Sequence, residues 1–482
     1  MHQPVSITSI LGQNQNISVT ETIKFAVESL VTPEGLAAAL AGATVLAFVL
    51  LWRKGPMLGA VLVVFLMTMM QLNDRWFDNT LIAPLQKIRD FAKFGTVVIL
   101  ATMSLGTVFA PPSTRSRLVS VALLAFFAFQ TLYMWRLGIQ NDLVRGGLGW
   151  ITTIMLLLSV AIGLGRRVED DAGFDRFVSI FGIASIIYIA ANLLQLALGY
   201  RNVVAGNRLM GISGNAQLMA YICAIFLLTN VYLFARLPLG SVMRWVYGAS
   251  IGILGLFVVW TGSRTGALCA ATGMFAYFRL RIGSFALVAA LGAAVLFAVA
   301  SFFAESFEGV SRFLDAGNTR RDVWLQAWSE FQSAPLFGTI GLRKDEQVTT
   351  IESSYLATLS LLGITGAIVL MGSILSIATM LPRLAYFRWS GRVVPEQADL
   401  VIASISVVLV GSVFEGFFLG ILSFAVVWLY ALFVMAAYLE ERATSPLPDQ
   451  FESDEVEAEY EDPDDVASPS HADEAPARHQ LL

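Results

Sequence analysis

The sequence predicts an all-α, polytopic integral membrane protein with about 12–13 transmembrane helices and one large non-cytoplasmic loop between late helices. Three observations predict it. Of 482 residues, 56% are hydrophobic and only 14% are charged, where a soluble domain carries about a quarter. Mean hydropathy is +0.69. Apolar runs of about 20 residues, enough to cross a bilayer, recur along most of the chain.

Taken in order, the spans read at 34–52, 57–72, 92–110, 118–135, 148–165, 177–199, 216–235, 245–260, 265–278, 284–303, 354–381, 398–414 and 417–439. Backbone groups in lipid must be paired within the segment, so these are helices. The span at 265–278 is short, which makes it and its neighbour at 245–260 candidates for a broken or tilted pair.

Orientation follows from short loops rich in Lys and Arg. Alternate loops hold Arg53/Lys54, Arg115/Arg117, Arg166/Arg167/Arg176, Arg236/Arg244, Arg279/Arg281 and Arg383/Arg388/Arg392. With these in the cytoplasm, residues 1–33 form a non-cytoplasmic segment and 34–303 the first ten spans. Residues 304–352 are then the large outer loop, 353–440 three further spans, and 441–482 a cytoplasmic tail. Loop 73–91 resists this assignment, because it carries Arg75, Lys87 and Arg89 on the outer side. Asp74, Asp78 and Asp90 accompany them, and the segment reads as an interfacial helix.

The excess acid behind the net charge of −5 sits mostly in the tail, which is rich in proline and expected to be disordered. The membrane part alone is near neutral or mildly basic. Cys223 and Cys269 lie in apolar runs and are expected to pack. His2, His471 and His479 all lie in the polar ends. Without histidine or paired cysteines in the membrane body, no zinc or copper site is expected, and no cofactor is called for. The first 30 residues lack the basic start and compact apolar core of a cleavable signal. Nothing points to a nucleic-acid partner.

Under this topology several polar residues meet on one side. Arg201 and Arg208 precede the span at 216. Arg264 lies in the turn Thr-Gly-Ser-Arg-Thr-Gly, Arg320 and Arg321 lie in the outer loop, Glu352 opens a span, and Glu415 ends another. An arginine deep in lipid costs about 2.5–3.5 kcal/mol on insertion scales. A phosphate-bearing ligand would offset that cost, because the guanidinium fork matches phosphate oxygens. The alternative is that Arg264 pairs with Glu352 or Glu415, or snorkels to headgroups.

The succession RLMGISGNAQLMAY at 208–221, TGSRTGAL at 261–268, TRRDVW at 319–324, PLFGTIGL at 335–342 and ESSYLATLSLLGITG at 352–366 resembles the O-antigen ligase and O-antigen and exopolysaccharide polymerase superfamily. Those are bacterial membrane glycosyltransferases that use polyprenyl-diphosphate-linked glycans. The resemblance implies a multi-pass protein of the bacterial inner membrane with its active site facing the periplasm. It assigns Arg208 and Arg264 to the lipid diphosphate, and Asn215, at the start of the following helix, to substrate binding. Arg320, with Arg321 beside it and four residues before Trp324, would hold the loop over the site or contact substrate. Many ligases of this superfamily carry His-Asn-x-Tyr where this chain reads Glu352-Ser353-Ser354-Tyr355, a pattern more like the exopolysaccharide polymerases.

The implied reaction is attack of an acceptor sugar hydroxyl on the anomeric carbon, with lipid diphosphate leaving. Preorganised arginines suit the charge that grows on the leaving group without a metal. A carboxylate that takes the hydroxyl proton adds about 10²–10⁴-fold, and Glu352 is the candidate. Its other reading is a salt-bridge partner of Arg264 or Arg320. Tyr355 is either a substrate hydrogen-bonder or an interfacial anchor. Trp324 and Trp328, four apart on an expected loop helix, either stack on sugars or pack the loop. The expected partners are a lipid-linked oligosaccharide, an acceptor glycan, membrane lipid and a chain-length regulator at the tail. The functions in contention are polymerisation of repeat units, en-bloc ligation to lipid A core or protein, and transport.

Overall fold

The structure is a computed structural model that describes residues 55–69, 81–109, 119–140, 143–199, 203–205, 208–282, 321–339, 353–419 and 422–445. The spans expected at 34–52 and 284–303, the segment 1–33, most of the outer loop, and the tail from 446 onward lie outside the described residues. So do Arg201, Arg320 and Glu352. The chain divides into two units, 1–443 and 444–482, and the first of them contains the helical bundle.

This is an all-α polytopic membrane protein. Among the described residues eight helices are long and apolar enough to cross a bilayer, and a ninth is added by a bent helix. The helices of the described residues, spanning or not, are in order α1 Gly55–Met69, α2 Ala83–Val108, α3 Val121–Gln140 and α4 Leu143–Leu156, which continues as a π-helix over Leu157–Leu164. Then come α5 Asp171–Gly199, a two-residue hairpin of β1 Val204–Ala205 and β2 Arg208–Leu209, α6 Ala216–Arg236, α7 Val242–Thr261 and α8 Arg264–Ile282. The last group is α9 Arg321–Ser333, α10 Ser354–Trp389, α11 Pro395–Phe414 and α12 Phe424–Thr444.

Three elements differ from the hydropathy reading. Helix α2 starts at Ala83 and bends by 51° between Ala92 and Phe94, so the charged second half of loop 73–91 is helical and set at an angle to the span. The pair expected to be broken or tilted is two helices, α7 and α8, joined at Gly262 and Ser263; both pack on α6. The last span starts at Phe424, not near 417, because residues 417–419 form a 3₁₀ turn.

Helices α6 and α12 are buried on nearly every side. Helix α12 fills the middle with large rings. Trp428 meets Phe181 at 4.7 Å between centroids, Tyr430 and Phe433 meet Phe126, and Phe424 meets Phe226. Edge-to-face geometry suits the ring quadrupoles. Tyr430 donates to Gln130 Oε1 at 3.0 Å, which satisfies two polar groups in a medium without water. By contrast, α7 turns Leu256 and Val259 outward, as a lipid-facing helix does.

The helix ends sort the charges. At one end of the bundle, Arg442 reaches Asp171 at 2.9 Å, Arg236 reaches Asp175 at 3.0 Å, Arg388 reaches Asp399 at 2.6 Å and Arg383 reaches Glu440 at 3.8 Å. Three arginines of the positive-inside pattern, Arg236, Arg383 and Arg388, are thus matched by carboxylates from neighbouring helices. The opposite end holds the N-termini of α6, α8, α10 and α12 and the C-termini of α5, α7 and α11.

Candidate functional site at the Arg264 end of the bundle

The Thr-Gly-Ser-Arg turn is built from local capping chemistry. Thr261 ends α7, with its hydroxyl donating to Val258 O at 2.7 Å. Gly262 adopts φ 59°, ψ 24°, the left-handed conformation that glycine takes without steric penalty. Ser263 then caps α8, its Oγ accepting from Gly266 N at 3.2 Å. A helix C-cap and the next helix N-cap therefore share two residues, and Arg264 becomes the first residue of α8. An arginine in this place opposes the macrodipole, whose positive end lies at the helix N-terminus. Helix terminus and guanidinium together favour an anion. Gly266 allows close approach to α6, since a Cβ there would stand 2.1 Å from Ala220 Cβ.

Arg208 converges on the same turn. It lies on β2, opposite Ala205, and its Nε donates to Thr261 O at 2.8 Å. Two segments 53 residues apart are joined by that bond. The Gly-rich loop that carries Arg208 is fastened to α5. Asn192 Oδ1 accepts from Ile212 N at 3.0 Å, and Tyr188 and Ser213 share a hydroxyl bond of 2.9 Å. Asn215 is the N-cap of α6 and accepts from Gln217 N and Leu218 N. Asn215, expected to bind substrate, thus has its side-chain oxygen engaged in capping the helix.

On the facing side, Ser353 caps α10. Ser354 Oγ donates to Glu415 O at 2.7 Å and accepts from Phe418 N at 3.3 Å. Tyr355 and Ser412 share a hydroxyl bond of 3.1 Å, which ties the tyrosine to α11. Glu415 is the C-cap of α11, which runs antiparallel to α8 and packs on it. Arg264 and Glu415 thus stand at adjoining ends of two contacting helices.

The outer-loop helix expected around Trp324 and Trp328 is α9, opened by Arg321. Ala327 packs against Ala357. The buried Glu330 carboxylate accepts from Ser360 Oγ and from Gln326 Nε2. After α9 the chain turns at Pro335–Gly338 and joins α10 by backbone. Ile364 N donates to Pro335 O at 2.8 Å, and Thr365 N to Leu336 O at 3.3 Å; Thr339 N donates to Ser360 O at 2.8 Å. This is possible because α10 breaks at Gly363, φ 66°, ψ −162°. Arg136 of α3 closes the other side, donating to Phe337 O at 2.6 Å with its guanidinium 5.5 Å from the Phe337 ring centroid.

Arg208, Arg264, Asn215, Tyr355 and the α9 helix with Arg321 and Trp324 therefore lie at one end of the bundle. The Arg208 segment meets the Arg264 turn directly, while α9 packs on Ala357 and Ser360 of α10 and Tyr355 bonds to Ser412 of α11. Glu330, Ser360 and Arg136 were not singled out from sequence. The one available signal was the glutamate six residues after Trp324 on an otherwise uncharged stretch of helix. Compared with known proteins, the chain matches no family model and no curated protein.

Proposed function

We propose that this chain is a membrane glycosyltransferase that polymerises polyprenyl-diphosphate-linked oligosaccharide repeat units at the periplasmic face of the bacterial inner membrane. The observation that carries the reading is the convergence of Arg208 on the Thr261–Arg264 turn, at the N-terminus of α8. Two guanidinium-bearing segments and a helix N-terminus at one place suit a diphosphate, by charge and by the planar match of guanidinium to phosphate oxygens. The acceptor hydroxyl attacks the anomeric carbon and the glycosyl–phosphate bond breaks. Arg208 and Arg264 hold the diphosphate as its charge grows. Glu352, directly before Ser353, takes the hydroxyl proton. Tyr355, held by Ser412, and Trp324, on α9, line the approach of the sugar. The acidic pattern at Glu352-Ser353-Ser354-Tyr355 favours a polymerase over an en-bloc ligase.

The test is conversion of a lipid-linked oligosaccharide by the purified full chain in detergent. A polymerase gives a ladder of products. A single addition to an acceptor would mark a ligase, and an unconsumed donor would overturn the enzyme reading in favour of transport. Arg264→Ala abolishes product while the protein stays inserted. Arg264→Lys is also poor, since an ammonium keeps the charge and loses the fork. Near-normal product from Arg264→Ala would remove the diphosphate role. Reporter fusions after Asp315 and after Glu441 are expected to give opposite signals, and matching signals would refute the orientation.

A further inference from the structure

The α9 segment and its turn carry a surface unlike that of a loop standing in water. Helix α10 is broken at Gly363, and the part from Ile364 to Trp389 alone, at about 1.5 Å per residue, is long enough to cross a hydrocarbon core about 30 Å thick. Its exposed apolar stripe shows which part crosses. Ile364, Ile368, Met371 and Leu375 are all at least 45% exposed, and Pro382 and Arg383 come next at the far end. From Ile364 to Leu381 is about 27 Å of helix. The part from Ser354 to Leu362 contributes no exposed large apolar side chain, because α9 and α11 cover it. One hydrocarbon boundary therefore falls at the Gly363 break.

The Pro335–Gly338 turn is hydrogen-bonded to α10 at that break, through Ile364 and Thr365. Leu336 is 61% exposed and Phe337 57% exposed, and the turn that carries them is bonded by backbone to α10 where the exposed stripe begins, at Ile364 and Thr365. Helix α9 runs alongside α10 in the same direction, Ala327 opposite Ala357 and Glu330 opposite Ser360. Trp328, exposed and tilted against Phe331 at 5.2 Å between ring centroids, lies about 9 Å along the α9 axis from the turn. Tryptophan is favoured at headgroup level. Ser329 and Ser333 are exposed on another flank of the helix. Arg136, its guanidinium on the Phe337 carbonyl and ring, has the cation-at-the-boundary geometry of a snorkelling side chain.

We propose that the Pro335–Gly338 turn is a membrane-immersed tip. Leu336 and Phe337 enter the acyl region of the leaflet, Trp328 lies among its headgroups, and the Ser329 flank of α9 faces water. The occupant of this apolar surface is lipid, argued from its continuity with the lipid-facing stripe of α10. The loop between the late helices is thereby anchored in the bilayer at its base, and the inference does not depend on the reaction.

Spin labels at Leu336→Cys, Trp328→Cys and Ser329→Cys, with the full chain in vesicles of phosphatidylethanolamine and phosphatidylglycerol, test this. Cys223 and Cys269 are buried, so wild type treated with the same label supplies the background. Relaxation by oxygen is expected to exceed that by a water-soluble nickel complex at 336, with a smaller excess at 328 and the reverse at 329. Nickel dominance at 336 would overturn the proposal. So would protection of 336 from both agents, which would mean a second copy or another protein covers the surface. As a check that needs no cysteine, Trp328→Phe should lose part of the tryptophan emission that lipids brominated near the headgroup quench. An unchanged quenchable fraction would also refute immersion.

Discussion

Gly363→Ala is expected to undock the α9 segment, at a cost that follows from the backbone. At φ 66°, ψ −162° the position is in a region essentially restricted to glycine, and a side chain there costs about 1–3 kcal/mol. The added Cβ would also lie 2.5 Å from Leu336 C and 2.6 Å from Leu336 O and Phe337 N. These are backbone atoms, so no rotamer change relieves the clash, and overpacking of this kind costs about 1–3 kcal/mol. Relief by separation breaks the Ile364–Pro335 and Thr365–Leu336 bonds, each contributing about 0.5–1.5 kcal/mol. The penalty on the docked state is thus about 2–6 kcal/mol. Even the low end raises the undocked population about 30-fold. Gly372→Ala is the control, on the same helix with nothing within 4 Å of its Cβ; there alanine is expected to be neutral or stabilising. The assay is the rate of proteolysis within 321–339 in vesicles, together with the midpoint of thermal unfolding in detergent. Faster cleavage in Gly363→Ala alone is the expected result. Equal behaviour of the two variants would refute the account of the break. Gly338→Ala should resemble Gly363→Ala, since its Cβ would meet Leu361 C at 2.2 Å.

Asp399, whose side chain is 1% exposed, holds Arg388. Asp399→Ala strands that arginine and should destabilise the protein by about 3–5 kcal/mol, while Asp399→Leu with Arg388→Met should recover most of the loss; thermal melts of the single and double variants decide, and an undamaged single variant counts against the pair. Glu352→Gln should lower polymerisation about 10²–10⁴-fold with donor binding little changed. Glu352→His should restore part of the activity with a shifted pH dependence, because imidazole differs from a carboxylate in proton affinity. Full activity in Glu352→Gln would take Glu352 out of the mechanism.

Much of the candidate site was legible because its parts are local. The sequence placed Asn215 at a helix start and Arg264 in a turn between two helices, and local capping at Asn215, Gly262 and Ser263 is the physical reason for both. Trp324 and Trp328 four apart foretold a helix in the loop, which α9 is. What was not legible depends on partners distant in sequence. The Arg208 bond to Thr261 crosses 53 residues, and the Arg136 bond to Phe337 crosses 201. A span such as Ser354–Trp389 also hides its break, since Gly363 inside an apolar run reads as a tolerated helix residue until the Pro335–Gly338 turn is set against it.

By itself the sequence determined that this is a helical membrane protein, and it put Arg208 and Arg264 at one end and Arg236, Arg383 and Arg388 at the other. Hydrocarbon length and the need to pair every backbone group leave one kind of solution, and those constraints act on each segment separately. Only the tertiary structure decided what the polar groups hold. Asp171, Asp175 and Asp399 absorb the arginines at one end; at the other, Arg208 grips the helix end before Arg264, and Glu330 receives Ser360. Hydrogen bonds and ion pairs of this kind need two side chains within about 3 Å of each other. Hydropathy carries no information about which helices become neighbours, and packing around the rings of α12 supplies it.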